Sequence, residues 1–320
     1  MKKYINLSFC GEIGSEYTEL KCKLRQFPCG EFEFSIQEDI SNCDIEIYQS
    51  FEVGKFNDDL MKLQIVCDVL KRNNVASINY FAPFLPYTRQ DRTHNTTSSL
   101  GAKLIAEIIN NCGIHKITTY DFHALQIEGF FKGQVHNLSA VPLFLRDIES
   151  KFDKKDIVIV FPDAGSASRF KRFFDNTDYE IAIIQKVRND DGIAMKILGN
   201  ASEKTAIILD DMIDSGGTII EASNVLKMQN ANDIFVYGKG DCFSYGAAFA
   251  YMAKAIGYTE AYACNTGGHG WAEVDGKYYD PEWDMHHNEY NHFGVAPGDD
   301  CDVNYVNTLQ PDVEWMRMKV

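Results

Sequence analysis

Short runs of β-branched and aromatic residues alternate with stretches of helical apolar spacing along most of this chain, and few folds accommodate that pattern. Asp44–Tyr48 reads as a strand, and 58–71 places Leu63, Val66, Cys67 and Leu70 on one helical face. Residues 76–81 return to a strand, 100–110 form a helix and Lys116–Tyr120 another strand. A second series has strands at Ile157–Phe161, 180–185, 206–209 and 234–237, with a helix at Gly217–Met228. Parallel neighbours need a crossover long enough to hold a helix, so this order favours α/β units built on parallel sheets. A boundary is expected in a loop near 136–140, where Pro142 opens a new helix.

The texture changes after Tyr237. Gly, Tyr, Trp, His and Asp become frequent, an Ala-rich helix is expected over 241–256, and Val274-Asp275-Gly276-Lys277 carries a hairpin signal. Three segments follow: 1–140, 141–237 and a small separate module over 238–320.

Charge narrows the function classes. The 320 residues carry a formal net charge of −15, which repels nucleic acid and anionic membranes at long range. An acidic protein that handles a nucleotide must gather local cations or recruit Mg²⁺. The basic start Met1-Lys2-Lys3 is followed by Ser8-Phe9-Cys10-Gly11-Glu12 rather than an apolar stretch, so no secretory leader is expected. The longest apolar runs are far shorter than a bilayer span. Nine cysteines without a CxxC pair read as reduced thiols of a cytoplasmic protein.

The most informative string is Ile207-Ile208-Leu209-Asp210-Asp211-Met212-Ile213-Asp214-Ser215-Gly216-Gly217-Thr218. A buried-type strand ends in two acids, and a Ser/Gly/Gly/Thr turn opens a helix. Glycines let the backbone approach an anion, the helix start supplies N–H groups, and the hydroxyls of Ser215 and Thr218 add donors. Asp210 and Asp211 lie at the strand's C-terminal end, where open α/β sheets bind ligands, and can hold ribose hydroxyls.

With four further motifs in the same order, the chain resembles the ribose-phosphate pyrophosphokinases. These are Phe27-Pro28-Cys29-Gly30-Glu31, Pro86-Tyr87-Thr88-Arg89-Gln90-Asp91-Arg92, Asp121-Phe122-His123 continued to Phe131, and Phe161-Pro162-Asp163-Ala164-Gly165. The resemblance implies two phosphoribosyltransferase-like domains, the second truncated. It also implies transfer of pyrophosphate from Mg·ATP to ribose 5-phosphate by a homo-oligomer. It assigns ATP to Arg89, Gln90, Asp91 and His123, with Phe27 and Glu31 reaching in from a neighbouring subunit. Mg²⁺ falls to His123 and Asp163, and the ribose phosphate to Asp210, Asp211, Asp214, Ser215, Gly216, Gly217 and Thr218. Lys186 and Arg188 become the catalytic cations, since attack on the β-phosphorus spreads negative charge that fixed cations stabilise.

Departures from the family pattern keep the acceptor open between ribose 5-phosphate and a relative such as ADP-ribose. Cys29 replaces the usual Asp or Asn, the stretch from Cys10 to Phe27 is short for a first helix, and 92–97 lacks a second arginine.

Over 238–320, Gly240-Asp241-Cys242 and the run from Gly268 to Trp283 resemble a small α+β transglutaminase-like domain, which implies a Cys242–His269–Asp280 triad. Residues 241–266 align equally with the helix and strand that close the kinase fold. Three functions therefore stand: the diphosphokinase, a cysteine hydrolase or acyl transferase with the front domains as nucleotide sensor, and a silent regulatory subunit.

Overall fold

Ile45, Ile47, Ile78, Tyr80 and Ile117 alternate with less buried neighbours along three short strands and share one core with two helices. In the computed structural model the described residues are 2–9, 13–52, 54–93, 95–189, 192–213, 217–239, 258–265, 270–279, 293–295 and 316–319. They fall into two units, Met1–Ala140 and Val141–Val320.

The first unit runs β1 (Lys2–Asn6), β2 (Thr18–Glu19), β3 (Cys22–Gln26), β4 (Phe32–Ile36), β5 (Asp44–Tyr48), α1 (Phe56–Arg72), β6 (Ser77–Phe81), α2 (Gly101–Asn111), β7 (Lys116–Tyr120) and β8 (Gln134–Leu138). Six strands form a parallel sheet in the order β2-β1-β5-β6-β7-β8, and β3 and β4 make a separate antiparallel hairpin. In α1, Leu60, Leu63, Val66, Cys67 and Leu70 are buried along one stripe. Asp58 and Asp59 in its first turn and Lys71 and Arg72 in its last match the helix dipole. The loop expected near 136–140 is replaced in part by β8, an edge strand whose polar Gln134 and His136 are exposed. Its sequence carries little apolar alternation, and only pairing with β7 makes it a strand.

The second unit begins with α3 (Val141–Lys151), β9 (Ile157–Phe161), α4 (Ala164–Phe170), β10 (Glu180–Asn189), β11 (Gly192–Leu198), β12 (Thr205–Met212), α5 (Gly217–Met228) and β13 (Ile234–Lys239). The sheet order is β11-β10-β9-β12-β13, parallel except for β11 at the edge. All five residues of β9 are buried, because alternate ones enter opposite layers. Ile157, Ile159 and Phe161 pack with Val141, Ile148 and Phe170, whereas Val158 and Val160 pack with Ile219, Ala222 and Leu226.

A further antiparallel sheet has the order β17-β16-β15-β14-β18, from β14 (Ala261–Asn265), β15 (Gly270–Val274), β16 (Lys277–Tyr279), β17 (Phe293–Val295) and β18 (Met316–Lys319). The expected hairpin is there: Asp275 and Gly276 turn between β15 and β16 with φ of 48° and 76°. Trp271 is buried in this sheet's chain segment. Among the described residues, no helix is long and apolar enough to cross a membrane.

Candidate functional site

The acidic pair sits on a bulge. Pairing of β12 with β13 is regular to Leu209↔Tyr237 and resumes at Met212↔Lys239, so β12 takes three steps where β13 takes two. In a regular strand, adjacent side chains point to opposite faces. The extra residue re-aims them, and here both carboxylates reach one guanidinium.

That guanidinium comes from α4. Arg169 Nη2 donates to Asp211 Oδ1 at 2.6 Å and lies 3.4 Å from Asp210 Oδ1. Ser166 Oγ donates to Asp210 Oδ1 at 2.7 Å and accepts from Arg169 Nη2 at 3.1 Å, and the Asp211 N–H donates to Asp210 Oδ1 at 2.9 Å. All four residues are buried. Burial, then the charge of Asp211, pushes the Asp210 carboxyl up to about 7, against the opposing pull of the Ser166 hydroxyl.

α4 is aimed by its cap. Asp163 Oδ1 accepts from the Ser166 N–H at 2.7 Å. A Cβ on Gly165 would stand 3.1 Å from Asp163 Oδ1 and 3.3 Å from Arg169 Nη1, so glycine leaves room for the arginine to fold back over the turn. Gly217 and Thr218 start α5. Asp214, Ser215 and Gly216 lie outside the described residues, as do Cys242, His269 and Asp280. Lys186 and Arg188, beyond the strand expected over 180–185, belong to the longer strand β10 and pair with Met195 and Ile193. The long β10–β11 hairpin escaped notice because polar and charged residues interrupt its apolar pattern.

In the first unit, Phe27 and Glu31 bracket the β3–β4 turn. The Phe27 N–H donates to the Glu31 carbonyl and the Gly30 N–H to the Phe27 carbonyl, both at 2.8 Å, with Gly30 at φ 96°. The Arg25 guanidinium lies 4.0 Å from the Phe27 ring centroid. Arg89 and Gln90 are exposed at the end of a turn that holds Tyr87 at φ 62°. Gln90 Oε1 accepts from Ser99 Oγ at 2.6 Å. Asp91 Oδ2 accepts from Gln126 Nε2 at 2.7 Å, which joins the 89–91 segment to the one that carries His123. His123 is half-buried and follows Asp121, held at φ 40° by its N–H to the Leu138 carbonyl and by Oδ2 accepting from the Ala140 N–H.

Sequence reasoning missed Arg169, Ser166 and Gln126. The available signal was the i, i+3 spacing of Ser166 and Arg169 on a helix that starts just beyond the β9 strand end. Among the described residues, no three His, Cys, Asp or Glu side chains cluster as a metal cage. Mg²⁺ is usually held by one or two carboxylates with substrate phosphates, and Asp163, Asp210 and Asp211 offer oxygen donors of that kind.

Two family models match: the N-terminal domain of ribose phosphate pyrophosphokinase over residues 5–113, and the phosphoribosyl transferase domain over 136–237. A ribose-phosphate pyrophosphokinase of Bradyrhizobium diazoefficiens is 36% identical over 230 residues, covering 71% of this chain and 72% of its own. That of Bacillus subtilis is 36% identical over 241 residues, 73% of this chain and 75% of its own. A crystal structure of phosphoribosylpyrophosphate synthetase from Mycobacterium smegmatis superposes with a TM-score of 0.66 at 30% identity, covering 75% of this chain and 78% of that one. Residues 238–320 lie outside both family matches.

Proposed function

The chain belongs to the ribose-phosphate pyrophosphokinase family, and from that premise we infer that it moves the β,γ-diphosphate of Mg·ATP onto C1 of ribose 5-phosphate. The products are 5-phosphoribosyl 1-diphosphate and AMP. The observation that carries the reading is the buried Asp210–Asp211 pair on its bulge, ahead in sequence of the Gly217–Thr218 helix start.

In this reading Asp210 and Asp211 accept hydrogen bonds from the ribose hydroxyls, while Asp214, Ser215, Gly216, Gly217 and Thr218 take the 5-phosphate. The C1 hydroxyl oxygen bonds to the β-phosphorus as the bridge from that phosphorus to the α-phosphate oxygen breaks. AMP leaves with the bridging oxygen, and the hydroxyl proton goes to solvent. Lys186 and Arg188 neutralise the charge that builds on the transferring group. Arg89, Gln90, Asp91 and His123 hold ATP, with Phe27 and Glu31 supplied by a second copy in a cytoplasmic homo-oligomer. Asp163 and His123 are the residues that would hold Mg²⁺, which when bound would supply charge neutralisation on the phosphates. The chain divides functionally at 140 and 237.

Mg·ATP incubated with ribose 5-phosphate or with ADP-ribose, followed by mass spectrometry, tests this. AMP with 5-phosphoribosyl diphosphate is expected, and its loss in Lys186→Ala. AMP formed only with ADP-ribose would change the acceptor, and no AMP with either would overturn the assignment.

A second reading concerns 238–320. The start of β15 and the end of β16 lie at the same end of one antiparallel hairpin, and His269 and Asp280 adjoin those ends in sequence. This favours a transglutaminase-like module acting through Cys242, His269 and Asp280. Cys264 is buried and Cys29 exposed, so a thiol-reactive probe mapped by peptide mass should lose its Cys242 label in Cys242→Ala and keep it in Cys264→Ala.

A further inference from the structure

Two carboxylates buried side by side cannot both ionise without a counter-charge. Asp210 and Asp211 are in that position, and the reading above needs them as acceptors for two ribose hydroxyls. We propose that Arg169, assisted by Ser166, is the positioning residue of the ribose site: from α4 it fixes the orientation of both carboxylates toward the sugar. This rests on the assignment of the acidic pair to the ribose.

The geometry is specific. Asp210 Oδ1 collects three donors, from Ser166 Oγ, the Asp211 N–H and Arg169 Nη2, at 2.7, 2.9 and 3.4 Å. Asp211 Oδ1 takes the shortest contact of Arg169, at 2.6 Å. One oxygen of each carboxylate is thus tied to α4, which sets the plane of the whole group and so the direction of its other oxygen. Arg169 Nη2 reaches both carboxylates and the Ser166 hydroxyl. A lysine would keep the charge without the planar fork.

Among the described side chains, α4 brings the cation Arg169 to the pair, with Asp163 at its cap. Tyr237, on the neighbouring strand, donates to Asp147 instead.

The test is steady-state kinetics of AMP formation by the full chain with Mg·ATP and ribose 5-phosphate, for Arg169→Met, Arg169→Lys and Ser166→Ala. Arg169→Met should raise the KM for ribose 5-phosphate about ten- to a hundredfold and leave the KM for ATP within about twofold. Arg169→Lys should restore part of the loss. Ser166→Ala, which deletes one hydroxyl and endangers folding least, should give a smaller rise in the same KM. An unchanged KM in Ser166→Ala and in folded Arg169→Met would overturn the proposal. So would equal changes in the KM of both substrates, which mark a merely structural role. Asp210→Asn and Asp211→Asn separate the two levels: if they leave the KM for ribose 5-phosphate unchanged, the ribose assignment itself fails. If they raise it while the Arg169 variants do not, only the positioning role fails.

Discussion

Arg169 Nη2 stands 2.6 Å from Asp211 Oδ1, a charge-assisted hydrogen bond between the short helix α4 and the bulged end of β12. Both residues are buried. Breaking a buried pair by deleting one partner costs about 3–5 kcal/mol, because the other charge is left without compensation. Arg169→Met is therefore expected to lower the unfolding free energy of the second unit, which denaturant titration would measure alongside the kinetics.

Asp210 gives the opposite sign in the unliganded protein. Its folded-state carboxyl is pushed up to about 7 by burial and by Asp211. A raised folded value means that the group favours folding most at acid pH. That contribution is lost as pH rises from the unfolded value, near 4, to about 7. Asp210→Asn should therefore stabilise the unliganded chain at pH 8 and flatten the decline in melting temperature between pH 5 and 7. The same variant should bind ribose 5-phosphate poorly. Calorimetry at two pH values decides this; a destabilised Asn variant at pH 8 would contradict it.

Gly165 tests the crowding at the α4 cap. An alanine there would press on Asp163 Oδ1 and Arg169 Nη1 at 3.1 and 3.3 Å, and the arginine tip must give by a few tenths of an ångström. Gly165→Ala should raise the KM for ribose 5-phosphate several-fold, roughly 1 kcal/mol of binding. Its melting temperature should change little, since alanine favours the helix.

Gln126 reaches Asp91 in the first unit. Gln126→Ala removes this exposed bond and should loosen the 89–91 segment, raising the KM for ATP by about three- to tenfold. The KM for ribose 5-phosphate should stay put. Equal changes in both would argue against an ATP role for the segment.

Trp271, on β15, is a fully buried aromatic of the antiparallel sheet. Trp271→Ala should cost about 3–5 kcal/mol of stability where that ring packs. If 238–320 is a separate module, limited proteolysis should cut within it while AMP formation by the remainder persists.

Much of the architecture was legible because its signals are local. The short, β-branched run Ile157–Phe161 reads as a strand covered on both faces, and the apolar stripe of α1 and the Asp275-Gly276 turn are equally self-contained. Edges were not legible in this way. β8 and β11 carry polar or mixed residues whose strand conformation comes from a partner's hydrogen bonds, so their own spacing says little.

The sequence alone determined the chemistry on offer: an acidic pair at a strand end, a Gly/Gly/Thr helix start, and motifs in the order of one enzyme family. Whether two adjacent acids act together is another matter, since strand periodicity sends neighbours to opposite faces. The bulge between Leu209 and Met212 and the return of Arg169 from α4 bring them to one cation. The bulge depends on pairs 27 and 28 residues apart and the arginine on contacts 41 and 42 residues apart, and side-chain convergence over such distances is set by packing rather than by spacing.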